Sequence, residues 1–426
     1  MASGNPPQQP PPGARAGTVL RHAKIWVVPG VLSALVALLL SLLYMGGILT
    51  PSDHLHRMPI ALVDSDTGPA LPGHTTPLGA EVAASIVANS PPGQVQWRVL
   101  TRAQAQDELA SGKVYGALEV PEDFTRSVAA LTTDRASARP VLAALTNPGV
   151  GSLGSSLASQ ITQQAAHRSS LEIGKQLLAA APQASPTDQL LLADPVDVQV
   201  RPGHPIGRHT GLGLSAFYYT LLLVLAGFLS ANLVHNAVDT SLGYADSEIG
   251  PWHSRRPTLP IDRTQTLLVK MGMTAGLSLV TTSMIMLATI GLLGMDAPHL
   301  PLLWLFSFCA CLSVGLGVQA INAAFGGIGQ LVAMFVFIAL ALPSSGATVP
   351  LEATPGFYRF LGAFEPMRQL VGGVRSILYF DARADAGLAR AWVMIALGLV
   401  GALVFGFAMT RYYDRKGLTR MVPKPS

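Results

Sequence analysis

The sequence predicts an α-helical polytopic membrane protein of six transmembrane helices, with an extracellular α/β domain inserted between helices 1 and 2. Three observations predict it. Hydrophobic residues make up 50% of the 426 positions and charged ones only 12%, about half the charged share of a soluble domain. Charge-free runs of the about 20 residues that a bilayer core requires recur along the chain. Between the first two runs lie roughly 160 residues, enough for an independent domain, in which strand patterns alternate with helical ones. The composition excludes general disorder. The net charge of +4, from Lys+Arg 28 against Asp+Glu 24, is too small and too scattered for a nucleic-acid partner.

In chain order, residues 1–20 are rich in Pro, Gln and Gly and read as a disordered cytoplasmic tail. Residues 21–50 hold the first span. Its charge-free stretch, 25–49, exceeds the about 7–15 residues of a signal peptide and has no A-x-A site after it. Residues 51–208 form the α/β domain, and 209–410 hold spans two to six, with a cytoplasmic loop at 236–266. The second span lies in 210–234 and the third between Lys270 and Asp296. Residues 300–351 lack charge and hold two helices, broken at the turn-like cluster 322–329 and ending near Pro343-Ser-Ser-Gly346. The sixth span occupies 391–410, and 411–426 form a cytoplasmic tail.

Lys and Arg in the short flanks give the orientation. Arg15, Arg21 and Lys24 precede span one. Arg255, Arg256, Arg263 and Lys270 lie between spans two and three, and Arg411, Arg415, Lys416, Arg420 and Lys424 follow span six. These segments share one side, so both termini are cytoplasmic and the protein is multi-pass in the plasma (inner) membrane. One loop breaks the pattern. Arg359, Arg368, Arg375, Arg383 and Arg390 precede the last span on the other side, accompanied by Glu352, Glu365, Asp381 and Asp385.

Within the domain, strands are expected at 58–63, 95–100, 115–120, 141–146 and 196–200. Helices are expected at 78–89, 102–111 (capped by Thr101), 122–131 and 153–181. Gly149-Val-Gly-Ser-Leu-Gly154 matches the dinucleotide fingerprint literally, with Glu172 about 20 residues on. That acid falls inside a helix rather than after a strand, so the motif reads as a flexible hinge. Asp64 and Asp66 could hold a cation, but Asp64-Ser-Asp-Thr-Gly68 is also an ordinary Asx-type turn. Cys309 and Cys311 are two apart in an apolar run and read as small core hydrophobes, not as a disulfide or metal pair.

The membrane part has no G-x-x-x-x-G-K-[ST] loop; Asp107 stands where its first glycine would precede Gly112-Lys113. The chain therefore carries no motor of that kind. No Ser-His-Asp or metal-ligand cluster stands out, so neither an enzyme nor a cofactor is expected. The spans lack Asp, Glu, Lys and Arg near their centres, which weakens a proton-linked exporter. Asn232, Gln319, Asn322 and Gln330 read as interhelical hydrogen-bonders. Gly272 with Gly276, and Gly398, Ala402 and Gly406, read as helix-packing surfaces. The loop after span two is expected to form a short amphipathic helix and a turn over 236–250.

Three stretches carry a family resemblance. The first is Met58-Pro-Ile-Ala-Leu-Val-Asp-Ser-Asp-Thr-Gly68. The second runs from Ala105 to Phe124, through Leu109, Gly112, Tyr115-Gly116 and Val120-Pro-Glu-Asp-Phe124. The third is Pro343-Ser-Ser-Gly-Ala-Thr-Val-Pro350 with Pro355, Phe357, Phe364-Glu-Pro-Met367 and Gly372-Gly-Val-Arg375. Over most of its length the chain resembles the type 2 ABC exporter permeases, closest to the branch of the phage infection protein Pip and its relative YhgE. The bacillary members of that family have much longer, coiled-coil-rich outside domains, compressed here to the helix at 153–181.

The resemblance implies a permease half that pairs as a homodimer or heterodimer in the lipid bilayer. It would move a lipid, drug, peptide or cell-envelope component outward. A separate nucleotide-binding ATPase subunit would contact Asp239, Tyr244, Glu248, Arg255 and Arg256. Residues 343–390 would form an outer re-entrant segment containing Pro343, Ser345, Gly346, Pro350, Glu365 and Pro366. The alternative is a non-transporting membrane scaffold or surface receptor for cell-envelope assembly.

Overall fold

The computed structural model describes residues 23–71, 75–131, 139–183, 185–418 and 420. The expected disordered tail lies outside them. The described chain divides into two units, one ending at Gly46 and one beginning at Gly47. In the first, helix α1 spans Ala23–Met45. The charge-free run of the sequence ends in the turn that follows it.

The second unit opens with a five-stranded sheet. Its elements follow the expected order: β1 (Met58–Asp64), α2 (Leu78–Asn89), β2 (Val95–Val99), α3 (Arg102–Ala110), β3 (Gly116–Val120), α4 (Phe124–Ala130), β4 (Val141–Thr146), α5 (Ser152–Ala180), α6 (Pro186–Ala193) and β5 (Asp197–Pro202). The strand order is β2-β1-β3-β4-β5. Only the β3–β4 pairing is antiparallel; the other three are parallel. A mostly parallel sheet needs both faces covered, and β1 is accordingly apolar from Met58 to Val63. Leu62, Leu118 and Leu142 pack under α2, α4 and α5. Ala61, Val63 and Ala117 pack on α3 through Ala105 and Leu109. Thr101 caps α3 in a full capping box with Gln104.

The helical part follows: α7 (Ser215–Ser241), a hairpin of β6 (Ser247–Ile249) and β7 (Trp252–Ser254), and α8 (Arg263–Met286), continued by a π-helical turn to Leu292. Next come α9 (Leu300–Phe325), α10 (Gly329–Met334), α11 (Ala341–Ser344), α12 (Gly356–Phe364), α13 (Pro366–Tyr379) and α14 (Leu388–Arg415). Helix α9 is central and packs against α7, α8 and α14. Four stretches are long and apolar enough to cross a membrane: Ser215–Ser241, Arg263–Leu292, Leu300–Ser344 and Leu388–Arg415. The third is 45 residues long and is interrupted within the cluster read as a turn. Gly326 leaves helical geometry with φ of 60°, and Gly329 passes so close to Asn322 that a Cβ there would lie 2.7 Å from its Cα.

Helix α8 shows what solvent this bundle is built for. Its buried face carries Thr266, Lys270, Thr274, Ser278 and Thr282, one every four residues. Leu268, Met273, Val280 and Met284 are exposed. A helix in water does the reverse. A lipid-facing helix exposes its apolar side chains and keeps its polar ones for its neighbours. The hydroxyls of Thr266, Thr274 and Ser278 donate to carbonyls one turn back at 2.8–2.9 Å, so burial leaves them paired.

The loop after α7 differs from its expectation. The helix itself runs on to Ser241, and a β-hairpin, not a separate amphipathic helix, follows.

Candidate functional site

The G-x-G-x-x-G stretch turns out to be a docking groove rather than a hinge. A Cβ on Gly149 would meet Phe380 at 2.9 Å, one on Gly151 would meet Arg375 Nη2 at 2.7 Å, and one on Gly154 would meet the Tyr115 ring at 2.6 Å. Gly151 also has φ of 114°, which disfavours any side chain. Gly149 and Gly151 thus let α13 and its following turn lie directly against the β4–α5 connection, and Gly154 lets α5 lie against Tyr115. Two Tyr379 contacts continue the seam. Its carbonyl lies 2.8 Å from His204 Nε2, and its hydroxyl accepts from the Ala216 amide at 3.1 Å. Arg383 bonds Asp107 at 2.8 Å, and Lys113 bonds Asp385 at 2.6 Å. Hydrogen bonds from Arg383 and then Lys113 hold the Asp385 carboxyl down to about 2.

Above this seam lies a cavity of about 220 Å³. Lys113, Arg368, Arg375 and Arg390 line it, with Glu352 as its one carboxylate. Ser345 and Gly346 of the expected outer segment also face it. Tyr115 donates to Glu352 Oε2 at 2.7 Å. Burial first, and then the Glu352 charge, push the Tyr115 hydroxyl well above its ordinary value. Arg375 Nη2 donates to the Ala347 carbonyl at 2.8 Å. Its Nε is buried without an acceptor, and burial pulls the guanidinium below its ordinary value.

The other candidate residues of the expected outer segment, Pro343, Pro350, Glu365 and Pro366, do not line this cavity. Pro343 sits in α11, and Pro350 precedes a tight turn at Leu351–Ala353 that packs on the sheet through Ala353 and Met58. Glu365 and Pro366 open α13. Glu365 is buried, and burial lifts its carboxyl to about 7 against the lowering effect of the Met367 amide.

A second cavity, also of about 220 Å³, lies at the opposite end of the bundle. The stretch of α7 from Ala216, at the sheet side, to His235, in this second cavity, spans about 28 Å at the rise of a helix. Asp239 Oδ1 pairs there with Lys270 at 2.8 Å and Arg420 at 2.7 Å, and Lys270 Nζ lies 3.0 Å from His235 Nδ1. Gln319 donates to the Ala231 carbonyl at 2.8 Å, and Asn322 donates to Asn232 at 3.2 Å. Gln330 donates to Asn236 at 3.0 Å. All four polar residues singled out in the spans therefore bond between helices.

Asp239 and Tyr244 are turned inward. The Tyr244 ring stacks under Arg420 at 4.3 Å, and its hydroxyl donates to Leu259 at 2.8 Å. Glu248, Arg255 and Arg256 remain exposed. Arg255 lies 3.4 Å from Asp246. Across residues 245–257 every described side chain but the half-buried Ser247 is exposed, Trp252 by 75%.

Elsewhere the small-residue stripes divide. A Cβ on Gly398 would meet Ser313 at 2.4 Å, and one on Gly406 would meet Leu267 at 3.1 Å, so that stripe packs α14 on its neighbours. Gly272 and Gly276 have nothing within 4 Å. The Asp pair forms an Asx turn: Asp66 accepts from the Gly68, Gly79 and Thr125 amides at 3.0–3.2 Å, and Asp64 accepts from the Asp66 amide at 3.0 Å. Among the described residues no three His, Cys, Asp or Glu side chains gather as a metal site. Both cysteines are free.

Sequence reading did not find the sheet-side cavity, although its signal was present. Three of the five arginines that broke the charge pattern, Arg368, Arg375 and Arg390, line it. The other two serve structure: Arg359 donates to the Thr354 carbonyl, and Arg383 bonds Asp107 and Asp385.

Fold and site together define a class: a helix bundle made to be embedded in a membrane, joined to a small α/β sheet, with a polar cavity at either end. The chain belongs to the DUF3533 family, described as a protein of unknown function, whose model matches residues 30–398. No match to it is found among curated proteins or among solved structures.

Proposed function

We propose that this chain is the membrane-spanning half of an ATP-driven exporter whose ATPase is a separate subunit. The observation that carries the reading is the pair of polar cavities at opposite ends of one bundle. The buried apolar side chains of Tyr219, Leu223, Phe306, Ala310 and Val314 fill the helices between them. A transporter needs such an arrangement: two sites of access about a bilayer apart, and a seal that repacks between them.

In this reading six spans cross the plasma membrane. Helix α1 is the first, and the interrupted stretch Leu300–Ser344 supplies two. The sheet lies outside, and both termini lie in the cytoplasm. The exposed hairpin with Glu248, Trp252 and Arg255 is the contact for the motor. Two copies, or a copy and a relative, pair across the open face of α8 at Gly272 and Gly276.

The test is a mild-detergent purification of the tagged chain from its native cells. A stoichiometric nucleotide-hydrolysing subunit should accompany it and be lost from a Glu248→Ala/Trp252→Ala variant. A clean preparation without such a subunit, repeated after crosslinking, would refute the motor and favour the envelope scaffold.

A further inference from the structure

We infer that the sheet-side cavity is a binding site for a phosphate-type oxyanion. Four cationic side chains and one carboxylate line it. Asp385 answers Lys113 at 2.6 Å from outside the lining, and the Glu352 carboxylate is engaged by Tyr115 at 2.7 Å. Among the described residues no carboxylate lies within ion-pair distance of Arg368, Arg375 or Arg390. Arg368 spends one N–H on the Gly362 carbonyl at 3.3 Å and Arg375 one on Ala347 at 2.8 Å.

A guanidinium has five N–H donors in a planar fork. Burying one with its Nε unpaired is costly unless something else completes the set. Here the fold goes out of its way to put it there. Gly151, at a φ of 114°, makes the room that Arg375 Nη2 occupies. Three arginines lining one space suit the several terminal oxygens of a tetrahedral phosphate better than the two of a carboxylate. The shared chemistry is a phosphate group, whether carried by a soluble molecule or by a lipid headgroup. The inference rests on the transporter reading only in making that group part of the cargo. Binding itself requires no motor.

The experiment therefore omits ATP and uses the full chain. Inorganic phosphate is titrated into the detergent-purified protein by calorimetry. In parallel, lipid retention is measured by native mass spectrometry after transfer from nanodiscs of phosphatidylglycerol or of phosphatidylcholine. Phosphate should bind, and Arg390→Gln and Arg368→Gln should each weaken it about tenfold, the scale of one lost charge-assisted contact. Arg390 is exposed on the rim, so its variant tests the site without disturbing the fold. Arg375→Lys should weaken binding while keeping the melting point within a few degrees. Phosphatidylglycerol retained by the protein, competed by phosphate and lost in Arg390→Gln would identify a headgroup. Phosphate binding with neither lipid retained would identify a soluble source. Absence of both kinds of binding, or binding unchanged in Arg390→Gln and Arg368→Gln, would overturn the site. A missing ATPase would leave this result standing, and an unbound cavity would leave the motor test standing.

Discussion

Asp66, half-buried in its turn, bears a structural load. Its carboxylate holds the start of α2 through Gly79 and the start of α4 through the Thr125 amide and hydroxyl. Asp66→Ala strands these donors and should cost about 2–3 kcal/mol, read as a fall in the denaturation midpoint. Asp66→Asn, which keeps part of the acceptor set, should cost less. Glu365 sets a pH dependence of the opposite sense to most carboxylates. Its folded value of about 7 lies above the ordinary 4.5, so the fold holds a proton that the unfolded chain releases. The stability this group contributes is full below pH 4.5 and is lost as pH rises through 7. Melting curves between pH 5 and 8 should show that decline, and Glu365→Gln should flatten it.

The elements of the sheet were the most legible part of the sequence. Strand periodicity, the Thr101 cap and the Pro and Gly punctuation gave β1 to β5 and α2 to α5 to within two residues. Helix α6 was missed because Pro186–Ala193 is short and lies in a Pro-rich stretch. The hairpin β6–β7 was missed because its three-residue strands are too short to show alternation. The glycine motif was misread for a different reason. Gly149, Gly151 and Gly154 are small because of Phe380, Arg375 and Tyr115, two of which lie more than 200 positions away, and no local pattern reports such a partner. Gly154→Ala should therefore destabilise by about 1–3 kcal/mol through overpacking. Hydrogen exchange should rise in β3, next to Tyr115, and around Pro350 together, where a hinge glycine would change neither.

Across the molecule, the long spans were legible because their signal is compositional, whereas the cavities were not. Lys270 and Asp239 stand 31 positions apart, near the ends of two different helices, and only packing brings them to 2.8 Å. The stripe Thr266, Lys270, Thr274, Ser278, Thr282 was written at a four-residue period all along. It becomes meaningful only once the inside of the bundle is known to be its polar side. That pairing has a consequence for biogenesis. Lys270 stands near the start of the apolar stretch of α8, where an unpaired lysine costs less than the about 2.5–3.5 kcal/mol of a helix centre, and the carboxylate that answers it is on α7, which is synthesised first. Helix α7 should thus linger at the insertion machinery until α8 arrives, and the two should leave as a hairpin. In a glycosylation-mapping assay α8 should insert more completely behind wild-type α7 than behind Asp239→Asn, and Lys270→Leu should remove the difference. Assembly order would then be encoded by one ion pair, and a mutation at Asp239 would first show itself as incomplete insertion of α8.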